Sequence, residues 1–313
     1  PDLSDESGIV VAHGICPKFS DLDSYWMMAN AIDEAVRNAV AVGGDPSHMA
    51  GVDNFCWCDP VQSEKTPDGR YKLAQLVRAN QALSHFCLAY GVPCVSGKDS
   101  MKNDYTGGGR KISIPPTVLF SVIAKVQRVD SCTSSDFKQV GDLIYILGLT
   151  KDELGGSELF SELGQVSAAS FGQVPQVDAM SARDRYQALH AAMGEGLVTA
   201  CHDLSDGGLG VAFAEMAIGG RLGASLDVDL VPICAQGPMH VSEILYSESP
   251  SRFLVTIRPE DREAFEPLFA GSHMSCIGQV EEGGMLRIHT GSVPQVEEKV
   301  EDLAKAFTST LDW

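Results

Sequence analysis

The chain has 313 residues, of which 44% are hydrophobic and 21% are charged. This length and apolar content suffice for two domains that each bury a core, and they exclude a disordered chain. Aspartate and glutamate number 42 against 23 lysine and arginine, which gives a formal net charge of −19. Because so acidic a surface repels phosphate backbones and anionic lipids, we expect no nucleic-acid partner and no membrane partner.

Nine cysteines are scattered along the chain, and most of them lie within apolar runs. This pattern is typical of reduced core thiols and predicts a cytoplasmic protein. Cys56 and Cys58 form a Cys-x-Cys pair without a second pair nearby, which is weak support for a zinc site.

The first part of the chain predicts helices and strands in alternation. Apolar residues recur with the helical period of 3.6 residues up to Gly43-Gly44, and a second such pattern continues up to Gly91. Pro93 then forces an extended chain. The predicted elements are a strand over 8–14, a helix over 24–42, a strand over 49–55, a helix over 73–90, and strands over 93–100 and 112–126.

A polar linker over 130–136 predicts the domain boundary, with a partial first subdomain over 1–130 and a second subdomain over 137–313. The fold class predicted from the whole pattern is mixed α/β, or α+β. The predicted elements of the second part are strand 143–148, helices 157–163 and 182–193, strand 197–201, helix 209–218, strands 224–228 and 253–257, helix 260–269, a hairpin around 281–284, and a terminal helix over 293–307.

The first predicted helix carries a polar stripe. Asn30, Glu34 and Asn38 recur every four residues and therefore share one face. Their oxygens are ligands that Mg²⁺ accepts, although a solvated stripe is the alternative. Asp33 and Arg37 have the same spacing, and for them we predict a surface ion pair.

The turn Ser96-Gly-Lys-Asp-Ser100 places a glycine, a cation and a hydroxyl at the end of a predicted strand. Such a turn can hold a phosphate through backbone N–H groups and an ammonium. It lacks the upstream glycine of a P-loop, and a plain surface turn is the alternative.

A second polar cluster, His202-Asp-Leu-Ser-Asp-Gly-Gly208, lies between a predicted strand and a predicted helix. The carboxyl ends of strands in α/β sheets are where ligands bind. Asp206 is a candidate N-cap, and for His202 a positioning role is favoured over a general base. Further along, Arg252 in Ser247-Glu-Ser-Pro-Ser-Arg252 is a candidate ligand for a carboxylate or phosphate.

Taken in chain order, these motifs resemble phosphoribosylformylglycinamidine (FGAM) synthase. The segments that carry the resemblance are Glu34-Ala-Val-Arg-Asn38, Gly97-Lys-Asp-Ser-Met101, Ile114-Pro-Pro-Thr-Val118, His202-Asp-Leu-Ser-Asp-Gly-Gly-Leu209 and Ser247-Glu-Ser-Pro-Ser-Arg-Phe253. The chain is similar to the second of that enzyme's two tandem synthetase halves, each of which resembles aminoimidazole ribonucleotide synthetase. The resemblance implies a two-subdomain fold, and because the family pattern has a further aspartate before Pro1, we expect an N-terminally truncated first subdomain.

The resemblance also implies roles for individual residues. It assigns Mg²⁺ binding to Glu34, Asn38 and Asp203. It assigns ATP or ADP binding to Asp53, Gly97 and Ser205, substrate binding to Ser100, and a catalytic role to no residue. Lys98 stands where some family members have a metal-binding asparagine.

The implied activity is an ATP-dependent ligase of purine biosynthesis that converts formylglycinamide ribonucleotide and glutamine-derived ammonia to FGAM. The implied partners are the first synthetase half, a glutaminase domain or subunit, and the ribonucleotide. Two alternatives stay open: a non-catalytic half whose nucleotide is structural, and a stand-alone relative such as selenophosphate synthetase or thiamine monophosphate kinase.

Overall fold

The structure, a computed structural model, describes residues 6–163 and 173–310. It divides into two compact units, the first made of Pro1–Val40, Gly44–Gln127 and Glu153–Arg183, and the second of Ala41–Gly43, Arg128–Asp152 and Asp184–Trp313. None of the described helices is both long and apolar enough to span a membrane.

The segment Glu153–Arg183 lies with the first unit, whereas the predicted subdomains, 1–130 and 137–313, assign it to the second. Its contacts explain the difference. The amide of Asn30 donates to the carbonyl of Pro175 at 2.7 Å, and Gly156 lies so close to Phe19 that an added Cβ would stand 2.7 Å from the ring. Sequence periodicity carries no signal for such a return of the chain.

A four-stranded sheet, in the order β1-β6-β2-β3, forms the centre of the first unit. Strands β1 and β2 pair antiparallel with β6, and β2 pairs parallel with β3. The elements up to residue 126 are β1 (Gly8–Ile15), α1 (Ser24–Ala41), β2 (Met49–Cys56), α2 (Gly69–Tyr90), β3 (Cys94–Ser100), the hairpin β4 (Asp104–Gly107) and β5 (Arg110–Ser113), and β6 (Thr117–Val126).

The two faces of this sheet differ. One face packs against α1, where Gly14 approaches so closely that an added Cβ would stand 2.1 Å from the carbonyl oxygen of Ala31. The other face carries apolar side chains in the open: Val11 is 72% exposed and lies opposite Ile123, which is 46% exposed. The sheet therefore buries one apolar face and leaves the second available.

The predicted surface ion pair of Asp33 and Arg37 forms, but it is buried, so its predicted location was wrong. The cause is helix α2, which covers this face of α1 and whose Tyr90 hydroxyl donates to Asp33. A spacing of four residues on a helix predicts that two side chains pair, but it does not predict whether another element buries the pair.

The second unit is built on a seven-stranded sheet in the order β15-β14-β10-β13-β7-β12-β9. Its apolar core includes Ile144 and Ile146 of β7 and Leu209, Phe213 and Met216 of α5. The elements after residue 126 are β7 (Leu143–Leu147), β8 (Thr150–Lys151), α3 (Glu158–Glu162), α4 (Ala179–Gly194), β9 (Ala200–Asp203), α5 (Gly208–Gly220), β10 (Gly223–Asp227), β11 (Ile233–Cys234), α6 (Val241–Tyr246), β12 (Phe253–Ile257), α7 (Arg262–Phe265), β13 (Met274–Glu281), β14 (Met285–Thr290), β15 (Val293–Lys299) and α8 (Val300–Ser309).

The predicted hairpin around 281–284 is wrong, because β10 lies between β13 and β14, antiparallel to the first and parallel to the second. Two glycines allow this close insertion. A Cβ added to Gly278 would stand 2.0 Å from the carbonyl oxygen of Ser225. A Cβ added to Gly223 would stand 2.7 Å from the carbonyl oxygen of Met285. The turn residues were recognised, but the strand that inserts comes from far earlier in the chain.

Other elements of the second unit also differ from the prediction. The terminal helix begins only at Val300, because residues 293–299 form β15, which pairs with β14. The predicted helix over 260–269 is reduced to a single turn, α7, flanked by 3₁₀ turns that begin at Pro259 and Glu266. Strand β9 covers Ala200–Asp203, which is later than the predicted 197–201.

Candidate functional site

Glu34 and Asn38 lie one turn apart on α1, and both contact the end of β1. The backbone N–H of Ile15 donates to Glu34 Oε2 at 2.8 Å, and the amide of Asn38 donates to the carbonyl of His13 at 3.4 Å. Asn38 uses its amide nitrogen for this contact, so its amide oxygen takes no part in it. The third residue of the stripe, Asn30, is buried and donates to two backbone carbonyls, which is a structural role.

Asp53 and Gly97 face each other across the β2–β3 pair. A Cβ at position 97 would stand 2.9 Å from both carboxylate oxygens of Asp53, so this position needs glycine for the carboxylate to lie against the strand. Burial raises the pKa of the Asp53 carboxyl, and the charge of Asp99 raises it further. A partly buried carboxylate beside open backbone can accept hydrogen bonds from a ligand.

Ser100 lies on the opposite face of the sheet from Gly97, because the two positions are three residues apart on one strand. Lys98 shares the Ser100 face, and both are in register with β2, at Asn54 and Cys56. Asn103 donates to the Ser100 hydroxyl oxygen at 2.9 Å. The end of strand β3 therefore presents two separate surfaces. One carries Gly97 beside Asp53, and the other carries Lys98 and Ser100.

In the second unit, Asp203 ends β9 and is buried, and the hydroxyl of Ser205 donates to its Oδ2 at 2.5 Å. His202 Nε2 lies 2.8 Å from Glu215 of α5, and its Nδ1 lies 2.6 Å from the carbonyl oxygen of Asp203. Burial alone lowers the pKa of His202, but hydrogen bonds with Asp203 and Glu215 outweigh burial and raise it to about 10. His202 is therefore protonated at neutral pH, which suits a positioning residue and not a general base.

Helix α5 begins at a left-handed glycine pair, Gly207 and Gly208, with φ of +75° and +61°. The N-cap residue of α5 is Gly207. Asp206 lies one position before it, so the predicted N-cap role of Asp206 is wrong. The carboxylate at this helix start comes from Glu248, whose Oε1 accepts from the Gly207 N–H at 2.9 Å. An acidic group here is favoured because the helix N-terminus carries partial positive charge.

Arg252 is fully buried, so it is not available for a phosphate or carboxylate as predicted. Its guanidinium donates to the backbone carbonyls of Ser247 and Ser249 and to the hydroxyl of Thr150. In turn, the carbonyl of Arg252 accepts from the N–H of Leu204. The segment 247–252 thus supports the 203–208 loop, a role that polarity in the sequence did not reveal.

The structure thus brings the predicted ligand residues together in three pairs: Glu34 with Asn38, Asp53 with Gly97, and Asp203 with Ser205. Within residues 6–163 and 173–310, no group of three or more His, Cys, Asp or Glu side chains is placed to hold a metal ion. The predicted metal ligands are all oxygen donors, as Mg²⁺ requires, and they are distributed over both units. Their shared role stays a prediction.

Known proteins resemble this chain in sequence and in fold. Residues 139–291 match the family model of the AIR synthase related protein, C-terminal domain. The phosphoribosylformylglycinamidine synthase subunit PurL of Thermococcus sibiricus is 33% identical over 287 residues, which cover 92% of this chain and 37% of that protein.

Among solved structures, Thermotoga maritima PurL complexed with FGAR superimposes with a TM-score of 0.78 at 22% identity, over 97% of this chain and 47% of that one. A thiamine-monophosphate kinase from Stenotrophomonas maltophilia superimposes with a TM-score of 0.61 at 15% identity, over 94% of this chain and 88% of that one. At these identities the likeness concerns the fold alone, and it confirms the predicted mixed α/β, AIR synthetase-like fold.

By these matches, residues 139–291 are similar to the C-terminal domain of AIR synthase related proteins. Over nearly its whole length the chain is similar to FGAM synthase, which confirms the resemblance predicted from the sequence motifs. The chain spans 37% of the length of this curated relative.

Proposed function

We propose that this chain forms part of an FGAM synthase, the ATP-dependent ligase that converts formylglycinamide ribonucleotide and ammonia to FGAM. The sequence similarity to PurL supports the proposal. The structural observation that carries it is the loop between β9 and α5. There a buried carboxylate, Asp203, is joined to Ser205 beside the left-handed Gly207-Gly208 pair, at the carboxyl end of a strand.

The proposed chemistry begins with an amide oxygen, which is a poor leaving group. Phosphoryl transfer from ATP would convert it to an iminophosphate, and ammonia would then displace phosphate. In this scheme, Asp53 and Gly97 bind a nucleotide on the first unit, Ser205 binds a nucleotide on the second unit, and Ser100 binds the ribonucleotide. Glu34 and Asn38 of the first unit, and Asp203 of the second, are the proposed ligands of bound Mg²⁺, which would supply positive charge to nucleotide phosphates. T. maritima PurL has been solved with ATP, ADP and AMPPCP, which supports a nucleotide site in this fold.

We further propose that the open sheet face of the first unit packs against the first synthetase half. Val11, Ile9 and Ile123 expose apolar surface there, and contiguous exposed apolar patches mark interaction sites. The proposed source of ammonia is a glutaminase domain or subunit. A cytoplasmic location stays a prediction.

The test is a reconstitution. The purified chain is assayed for FGAM formation from formylglycinamide ribonucleotide, ATP and ammonium, alone and after mixing with a separately produced first synthetase half. We expect activity only in the mixture, because positioning of reactants by both halves supplies much of the barrier reduction. Activity of the chain alone, or an inactive mixture of folded halves, would contradict the proposal.

Nucleotide binding is tested in the same mixture by calorimetry with ADP. We expect binding to require Mg²⁺ and to weaken in Asp203→Asn, whereas the exposed Asp229→Asn of the same unit serves as the matched control. Unchanged affinity in Asp203→Asn would remove this carboxylate from the metal role. The alternative, a structural nucleotide, predicts that labelled ADP stays bound to this chain through many turnovers.

A further inference from the structure

Two cysteines lie side by side where helix α2 ends and strand β3 begins. Cys87 is in the last turn of α2, and Cys94 is the first residue of β3. Their sulfur atoms are 3.7 Å apart, within contact distance of one another. Nothing in the proposed ligase chemistry uses either thiol.

The backbone holds both cysteines in place. Helix α2 ends at Gly91 in the left-handed conformation, and the N–H of Val92 donates to the carbonyl of Cys87 at 2.9 Å, which fixes the last turn. On the other side, the N–H of Gly51 donates to the carbonyl of Pro93 at 2.9 Å, and Gly51 pairs with Cys94 in the sheet. These backbone contacts fix the main chain on both sides of the connection between Cys87 and Cys94.

We propose that Cys87 and Cys94 are a modification site, where the two thiols form a reversible disulfide with each other. Cys94 is exposed and Cys87 is partly exposed, so a small disulfide reagent can reach the pair. Both thiols line an open groove of about 470 Å³, together with Leu83, Leu88 and Pro93. The oxidant we name is a small-molecule disulfide such as oxidised glutathione.

The reaction proceeds by thiol–disulfide exchange in two steps. The Cys94 thiol loses its proton, and the thiolate attacks one sulfur of the small disulfide, forming a mixed disulfide and releasing one small thiol. Cys87 then loses its proton and attacks the Cys94 sulfur, which releases the second small thiol. Two electrons pass from the protein sulfurs to the small disulfide, and the two protons end on the released thiols.

Burial raises the pKa of the Cys94 thiol, and burial beside Cys94 raises the pKa of Cys87 as well. Since the thiolate is the nucleophile, formation is slow at neutral pH and accelerates as the pH rises.

The cross-link would alter strand β3 near the predicted ligand residues. Cys94 is three residues before Gly97, and Gly97 faces Asp53 across the sheet. A disulfide at the start of the strand joins this edge strand covalently to α2. The proposal itself depends only on the two sulfurs and not on the identity of the ligand.

The experiment exposes the full chain to oxidised glutathione at pH 8, blocks the remaining thiols by alkylation, and maps the peptides by mass spectrometry. We expect a peptide pair joined through Cys87 and Cys94 that has lost two hydrogen atoms and that dithiothreitol separates. In Cys87→Ser, Cys94 should instead retain glutathione. The exposed Cys132→Ser and Cys234→Ser serve as matched controls and should leave the cross-link unchanged.

Two results would overturn the proposal. The first is a wild-type chain in which glutathione stays on Cys94 without displacement by Cys87. The second is a wild-type chain in which Cys94 does not react although Cys234 does. Circular dichroism spectra of the serine variants that match the wild type ensure that the results of these variants are not caused by misfolding.

Discussion

Two segments carry predicted ligand residues, the 203–208 loop and the 97–100 end of strand β3, and they differ in what surrounds them. The 203–208 loop is held from within its own unit: Leu204 donates to the Arg252 carbonyl, and Gly207 donates to Glu248. The 97–100 turn lies on β3, the edge strand of its sheet, and every residue from Cys94 to Asp99 is exposed. The first loop is therefore built by this chain alone.

Among the residues that the structure describes, the 97–100 segment pairs with one strand only, namely β2. Its free edge suits completion by another surface, which in our proposal is the first synthetase half. The comparison teaches that similar polarity in a sequence can accompany very different degrees of preorganisation. Substitutions in the 203–208 loop, or in the segment 247–252 that supports it, should change the free energy of unfolding. Substitutions in the 97–100 segment should change ligand binding.

The largest expected effect is that of Arg252→Met, which removes a fully buried guanidinium and its hydrogen bonds to Ser247, Ser249 and Thr150. Because the carbonyls of Ser247 and Ser249 then lose a charged donor inside the core, we expect the free energy of unfolding to fall by roughly 3–5 kcal/mol. Urea denaturation measures it. The control is Arg287→Met, whose exposed ion pairs should contribute about 0–1 kcal/mol. Equal losses in both variants would mean that Arg252 does not support the loop.

A glycine comparison tests the two loops directly. Gly208 has φ of +61°, and an added Cβ would stand 2.3 Å from the carbonyl oxygen of Ser247. Strain and overlap together should make Gly208→Ala cost about 2–4 kcal/mol in unfolding free energy. Gly97→Ala would place its Cβ 2.9 Å from the Asp53 carboxylate, a side chain that can rotate, so stability should change by less than about 1 kcal/mol. Thermal and urea unfolding of both variants provide the measurement, and a larger loss in Gly97→Ala would reverse the comparison.

The pH dependence of stability provides a smaller effect. The pKa of His202 is about 10 in the folded state, against an ordinary value of 6.5, so its hydrogen bonds favour the protonated form. The stabilisation is fully present below pH 6.5 and is lost as the pH rises towards 10. We expect the wild type to lose roughly 1–3 kcal/mol more than His202→Gln between these limits. Parallel stability curves for the two proteins would show that His202 does not carry this charge.

Local signals in the sequence predicted much of the fold. Helix α1 was predicted over 24–42 and spans Ser24–Ala41. Both signals for it, the 3.6-residue spacing of apolar side chains and the Gly43-Gly44 pair that ends the helix, are local in sequence. Strand β12 was predicted at 253–257 and occupies Phe253–Ile257, because an apolar run of this length suits a buried strand. The insertion of β10 between β13 and β14 could not be predicted in this way, since pairing between distant strands leaves no periodic trace.

The candidate site shows the same limit. The motifs located the 203–208 loop and the 97–100 turn, because glycine and polar residues at strand ends are local features. Arg252 was interpreted as a ligand because it is charged, whereas its burial depends on carbonyls that tertiary structure gathers around it. Gly97 and Ser100 were treated as one turn, and only the strand register shows that they face opposite sides.

Ser100→Ala should cause the smallest change in stability. It should nevertheless cause a clear change in substrate binding. The hydroxyl is partly exposed and its protein partner is Asn103, so its loss should cost less than about 0.5 kcal/mol of unfolding free energy. In the reconstituted enzyme, the same hydroxyl is proposed to bind the ribonucleotide, and a hydrogen bond to a charged group contributes about 1.5–3 kcal/mol. The KM for formylglycinamide ribonucleotide should therefore rise roughly tenfold or more, while the KM for ATP changes little, because Gly97 on the other face is assigned to the nucleotide. Ser96→Ala is the matched control, since it lies on the same strand and the same face. A Ser100→Ala enzyme with a raised KM for ATP and an unchanged KM for the ribonucleotide would show that the two faces of β3 have the opposite assignment.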